Sequence, residues 1–242
     1  WAEGGWRPGK GKGVGRAKGY PEMSRIYLSP HFDDIAFSLG ALLLKQPGGV
    51  MIDIFTRSAY DATTRSGDAV TQERVERISA LRDREDQAFA ARVALRRELL
   101  GAEEPSLRGR TTRDASGVGD DVAQIRVALT AALDRAAAGG TIEIYCPAGI
   151  GGHVNHLATR QVAFDWMGEE RRNATLLFYE DMPYASNRAV REQGIADLHA
   201  AVGGRALRRH AWRAPLRKLD LVNLYPSQHR RRRMNPFRFS PA

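Results

Sequence analysis

Four short apolar runs separated by helical patterns constrain this chain more than any other feature. Arg25-Ile26-Tyr27-Leu28-Ser29 ends at Pro30, Gly49 to Phe55 reads GVMIDIF, Thr141 to Cys146 ends at Pro147, and Thr175 to Tyr179 follows. Runs of this length, rich in β-branched and aromatic residues, suit strands buried on both faces. Between them, Ile35 to about Lys45 reads as a helix, with Gly40 allowing close packing. Val75, Ile78 and Leu81, then Ala88, Phe89 and Val93, mark a long amphipathic helix, and Val122, Ile125, Leu129 and Leu133 form a stripe stopped at Gly139-Gly140. Leu99-Leu100 marks a further strand, and residues 103–118 read as an exposed loop. Strands alternating with helices build parallel βαβ units. The expected fold is therefore α/β: a Rossmann-like three-layer arrangement of a mostly parallel sheet with helices on both faces. In such sheets ligands bind beyond the carboxyl ends of the strands.

At 242 residues the chain fits one such domain. The formal charge of +9 suggests nucleic acid until it is located. Ten of the 37 Lys/Arg and two of the 28 Asp/Glu fall in residues 1–22 and 229–242, leaving 27 basic against 26 acidic side chains on residues 23–228. A nucleic-acid domain would carry its basic charge on the folded body, so no specific nucleic acid is expected. Residues 1–22, rich in Gly and Lys/Arg, are expected to be a disordered basic tail. They complete neither GxGxxG nor GxxxxGK[ST], and Met23 is expected to be the natural start. Residues 23–228 form the domain and 229–242 a second basic tail, whose Arg230–Arg233 run reads as solvated. A single cysteine, Cys146, excludes an intrachain disulfide and suits a reducing compartment. No apolar run reaches the roughly 18–20 residues of a membrane span and no secretory h-region opens the chain, so a cytoplasmic protein is expected.

Two constellations fall at strand ends. His31-Phe32-Asp33-Asp34 follows the first strand, and Gly149-Ile150-Gly151-Gly152-His153-Val154-Asn155-His156 follows the strand ending at Cys146. An aspartate pair after a strand serves equally well as a helix cap, and an HxxH pair alone is more often two loop histidines. Their joint placement on one sheet edge favours a metal site. Imidazole and carboxylate donors without a thiolate cluster suit zinc in an open catalytic site. Asn155 is in position to cap a helix beginning near His156.

PHFDD and HVNH, with Phe55-Thr56, Arg84-Glu85-Asp86 and Tyr179-Glu180-Asp181-Met182-Pro183-Tyr184, resemble the PIG-L/LmbE-like zinc-dependent N-deacetylases over most of residues 23–228. The resemblance implies a hydrolase that removes an N-acetyl or other acyl group from an amino sugar or glycoconjugate, such as an N-acetylglucosamine compound, by attack of zinc-bound water. It implies that His31, Asp34 and His156 ligate Zn2+, that Asp33 is the general base, and that a protonated His153 stabilises the oxyanion. Three departures stand out. Phe32 replaces a common proline. Asn155 replaces an aspartate, which leaves His153 a weaker partner. Gly151 stands where some relatives carry tyrosine.

Arg57 and Tyr60, after the second strand, and Glu180 and Asp181, after another, are candidate substrate contacts; Tyr225 and Gln228 are assigned to the core or the pocket rim, and Phe164 and Trp166 to the core. Two other readings compete: a nucleotide-sugar transferase holding a divalent metal on Asp33-Asp34, which would give HVNH no purpose, and a non-catalytic sugar-binding protein. Oligomeric state, a homo-oligomer included, stays open, because neither a heptad seam nor an exposed apolar stripe can be read from the sequence.

Overall fold

The computed structural model describes residues 24–228 except 66, 169–172 and 213. The basic stretches at 1–22 and 229–242, with Met23 and Arg230–Arg233, lie outside the described residues. Five strands, β1 (Ser24–Ser29), β2 (Gly49–Asp53), β3 (Leu95–Leu99), β4 (Ile142–Pro147) and β5 (Ala174–Tyr179), form one sheet in the order β3-β2-β1-β4-β5. All four pairings are parallel. Alternation along β1 sends Tyr27 to one face and Ile26 and Leu28 to the other, and each face has its own core.

On the first face α1 (Asp34–Leu43), α2 (Gln72–Arg92), α5 (Arg188–Ala201) and α6 (Pro215–Val222) bury Phe37, Phe89, Leu198 and Val222. On the second, α3 (Val118–Ala137) and α4 (Val154–Gly168) bury Ile125, Leu129, Val162 and Trp166. Each such side chain contributes about 1.5–3 kcal/mol by leaving water. The α/β architecture expected from the alternating pattern is the one observed. Among the described residues no helix is long and apolar enough to cross a membrane.

Three local readings change. The third strand is Leu95–Leu99, LRREL, which includes Leu99 but starts earlier and stops before Leu100; as an edge strand with a half-exposed ladder it carries charge where an interior strand is apolar. The 103–118 segment contains two short 3-10 turns, Pro105–Arg108 and Ala115–Gly117, and buries Glu104 and Pro105, so it is only partly exposed. Helix α4 already begins at Val154, which places Asn155 inside its first turn rather than at its cap.

The chain runs outward from β1 through β2 to β3, then returns to the other side of β1 for β4 and β5. The strand order reverses between β1 and β4. Their diverging connections open a crevice at the carboxyl edge, where such sheets bind ligands. PHFDD leaves β1 and HVNH leaves β4 at that point.

Candidate metal centre and its cavity

The carboxylate of Asp34 accepts from the backbone N–H of His31 through Oδ2, 2.8 Å away, which folds the post-β1 turn back on itself. The same oxygen lies 3.1 Å from His31 Nδ1 and 3.3 Å from His156 Nε2, and these two nitrogens are 3.3 Å apart. Three donor atoms from two loops separated by more than a hundred residues therefore form a nearly equilateral triangle. Donors about 2.0–2.1 Å from a tetrahedral zinc stand about 3.3–3.4 Å from one another. The residues present fit such an ion. His31, His153 and His156 also group as a metal-capable histidine set, with His153 edge-on to His31 at 4.6 Å between ring centroids.

Electrostatics point the same way. Burial pushes the His156 pKa down, but Asp34 and Asp181 more than offset it and raise it to about 10. Burial alone would raise Asp34; its two imidazole neighbours, His156 first, hold it well below the usual carboxylate range. The cluster is built to hold positive charge between its carboxylates. His156 Nδ1–H donates to Asp181 Oδ1 at 2.6 Å, which turns Nε2 toward Asp34 and His31. Asp181 Oδ2 accepts from the Ile150 N–H at 2.8 Å.

Asp33 occupies the N-cap position of α1, yet its side chain makes no capping hydrogen bond. The capping alternative for this aspartate is thereby set aside. Its carboxylate meets Arg82 at 3.4 Å and lines the cavity. Burial raises its pKa against the lowering effect of Arg82, which makes it a stronger base than an exposed aspartate. His153 differs from the sequence expectation. Burial, then the neighbouring imidazoles of His31 and His156, push its pKa far down, so it is neutral rather than protonated. Its Nδ1 accepts from the Asn155 backbone N–H at 3.3 Å, which places its proton on Nε2. The Asn155 side chain is engaged elsewhere: Oδ1 lies 2.9 Å from His31 Nε2 and Nδ2 donates to Asp121 at 2.9 Å.

A cavity of about 350 Å³ opens over the triangle, within the roughly 300–1,000 Å³ of small-molecule sites. Tyr60, Arg82, Glu104, Ser106, Thr112, Tyr184 and Gln228 join His31, Asp33, Asp34, His153 and His156 in its wall. Tyr60 and Gln228 both line this cavity. Tyr225 is fully buried, donating to Asp86 at 2.6 Å, and Trp166 is core. Of the other expected substrate contacts, Arg57 pairs with Glu103 at 3.4 Å and Glu180 is held by Arg191 and Arg209; neither lines the cavity. Asp181 is fully buried behind His156, with both oxygens occupied, and supports the imidazole instead of facing a sugar. Gly151 holds φ at +91°, and a Cβ there would sit 2.5 Å from the Tyr184 ring, so this aromatic wall requires glycine beneath it.

Sequence reasoning missed Arg82, Glu104 and Asp121. Arg82 bonds Glu104 Oε1 at 2.7 Å and Ser58 Oγ at 2.9 Å while reaching Asp33. A signal existed: Arg82 follows Ile78 by four residues on the buried stripe of α2, and Asp121 precedes Ile125 by four on that of α3. Charged residues at core positions mark such partners.

No family model matches the chain. It is 30% identical over 169 residues to a 2'-N-acetylparomamine deacetylase of Streptomyces fradiae; the match covers 67% of this chain and spans 58% of the relative's length. Its fold is similar to that of a deacetylase of teicoplanin biosynthesis (TM-score 0.59, 18% identity, 85% and 84% of the two chains). It is also similar to an A40926 pseudoaglycone deacetylase (TM-score 0.55, 20% identity, 85% and 82%). At these identities the two structures establish the shared fold.

Proposed function

We propose that the protein is a zinc-dependent N-deacetylase of the PIG-L/LmbE-like kind, acting on an acylated amino sugar or glycoconjugate. The observation that carries this reading is the Asp34–His31–His156 triangle beside an uncapped, cavity-facing Asp33. The relative named for 2'-N-acetylparomamine and the fold neighbours named as deacetylases support it.

His31, Asp34 and His156 would hold the metal. Bound zinc acts as a Lewis acid and lowers the pKa of water to about 7. Asp33, raised by burial and steadied by Arg82, takes up the proton of the attacking water and passes it to the departing amine nitrogen. Neutral His153 offers its Nε2–H to the carbonyl oxygen as that oxygen gains charge. Tyr60 and Tyr184 supply aromatic wall for the sugar, and Ser106, Thr112 and Gln228 supply polar wall for its hydroxyls. Collapse of the tetrahedral intermediate breaks the C–N bond and yields acetate and a free amine.

The test pairs metal content with acetate release from N-acetylglucosamine compounds and 2'-N-acetylparomamine, for wild type and Asp33→Ala. About one zinc per chain in both, with activity reduced about 10²–10⁴-fold in the variant, is expected. A wild-type chain that takes up no zinc overturns the reading.

A further inference from the structure

We propose that Asp121 and Asn155 form a positioning relay that decides which nitrogen His31 turns toward the metal; the inference rests on the metal site proposed above. Asp121 on α3 and Asn155 on α4 are both fully buried. Asp121 is ion-paired with Arg110 at 2.6 Å and with Arg108. A carboxylate in that setting accepts hydrogen bonds and donates none, whereas an amide has one donor end and one acceptor end. The donor end of Asn155, Nδ2, must therefore face Asp121 Oδ2, 2.9 Å away. Its acceptor end is left facing His31 Nε2, 2.9 Å away on the other side. An acceptor there requires the proton on Nε2. Nδ1 keeps its lone pair, aimed at the point it shares with Asp34 Oδ2 and His156 Nε2.

The two histidines are thus set in opposite senses. Asp181 fixes the proton of His156 on Nδ1 directly, while Asp121 fixes that of His31 on Nε2 through a neutral amide. The amide conveys orientation and keeps the carboxylate one residue back from the metal, against its own arginines. Outer-shell partners of this kind typically change metal affinity about 10–100-fold.

Asp121→Asn removes the direction. An amide at 121 can donate to Asn155 Oδ1, and Asn155 can then turn its donor end to His31 and force the proton onto Nδ1. The double variant Asp121→Asn/Asn155→Asp restores the sense, because a carboxylate at 155 accepts from both neighbours. Both variants lose the Asp121 ion pairs equally, so a purely structural role predicts equal damage in the two.

Zinc affinity of the full chain, measured by competition with a chromogenic chelator, reads the difference, with thermal melting of the metal-free proteins alongside. Expected is an affinity about 10–100-fold weaker for D121N, with the double variant close to wild type. Equal weakening of both variants, or no weakening of D121N, overturns the relay. Where D121N does not fold, Asn155→Ala supplies the contrast: weakening in the same range supports the relay and unchanged affinity overturns it. Wild type without zinc affinity overturns the metal-site reading itself, an outcome visible before any variant is compared.

Discussion

Two buried polar clusters sit near the carboxyl edge of the sheet, and they are finished in different ways. In the first, Asp34 faces two imidazoles whose ring nitrogens converge with its oxygen on one point. In the second, Asp53 at the end of β2 and Asp86 on α2 share the Arg97 guanidinium, whose Nε lies 3.0 and 2.7 Å from them, and Tyr225 donates to Asp86. The second cluster carries its own permanent cation. In the first, Arg82 is turned to Asp33 and Glu104, and the positive charge between Asp34 and Asp181 is the proton they hold on His156. A buried carboxylate demands compensation: in the second cluster an arginine supplies a permanent cation, and where ring nitrogens converge on a carboxylate, a metal can replace the proton.

The sharpest break of that comparison is His156→Ala. It removes a donor of the triangle, so zinc content should fall from about one per chain to near zero, beyond the roughly 100-fold effect of outer-shell changes, with deacetylation lost. Retained zinc, read by elemental analysis, would mean that the triangle is not the binding site. Arg97→Met is the converse. It takes the cation away from the buried Asp53–Asp86 pair and should cost about 3–5 kcal/mol of stability, measured by urea unfolding, while zinc per folded chain stays at the wild-type level. Loss of zinc from folded R97M would show that the clusters are coupled.

A smaller effect lies in pH. Burial first, and then repulsion between the two carboxyls, raises Asp86 well above the usual 3.8, and burial raises Asp53 to about 7. The folded pair keeps a proton that the unfolded chain releases near 3.8. The contribution to stability is full below that value and is lost as pH rises through the folded values, about 7 for Asp53, with that of Asp86 raised as well. The slope between these limits reaches about 1.4 kcal/mol per pH unit for one proton. Unfolding free energies at pH 5 and 7 should therefore converge in Asp86→Asn relative to wild type. An unchanged difference would place the proton elsewhere.

Much of this was legible in the sequence, and the boundary has a physical basis. The apolar runs at Ile26, Val50, Ile142 and Leu176 specify strands through local pattern, and the intervening stripes specify helices. Parallel pairing follows from that alternation, and the carboxyl-edge rule then points to His31-Phe32-Asp33-Asp34 and His153-Val154-Asn155-His156 as a site. Those inferences need only neighbours along the chain. The partners of these residues do not follow from it. Arg82 reaches Asp33 across 49 positions, Asp121 reaches Asn155 across 34, and Asp181 reaches His156 across 25. The packing of α2, α3 and the post-β5 loop selects them. The same packing turned Asn155 from a helix cap into a partner of His31, pulled Asp181 behind His156, and left Arg57 paired with Glu103 outside the cavity. Sequence determined which donors exist and on which sheet edge they gather. Tertiary structure decided which atom each donor presents, because a side chain's orientation is set by the hydrogen-bond partner packed behind it.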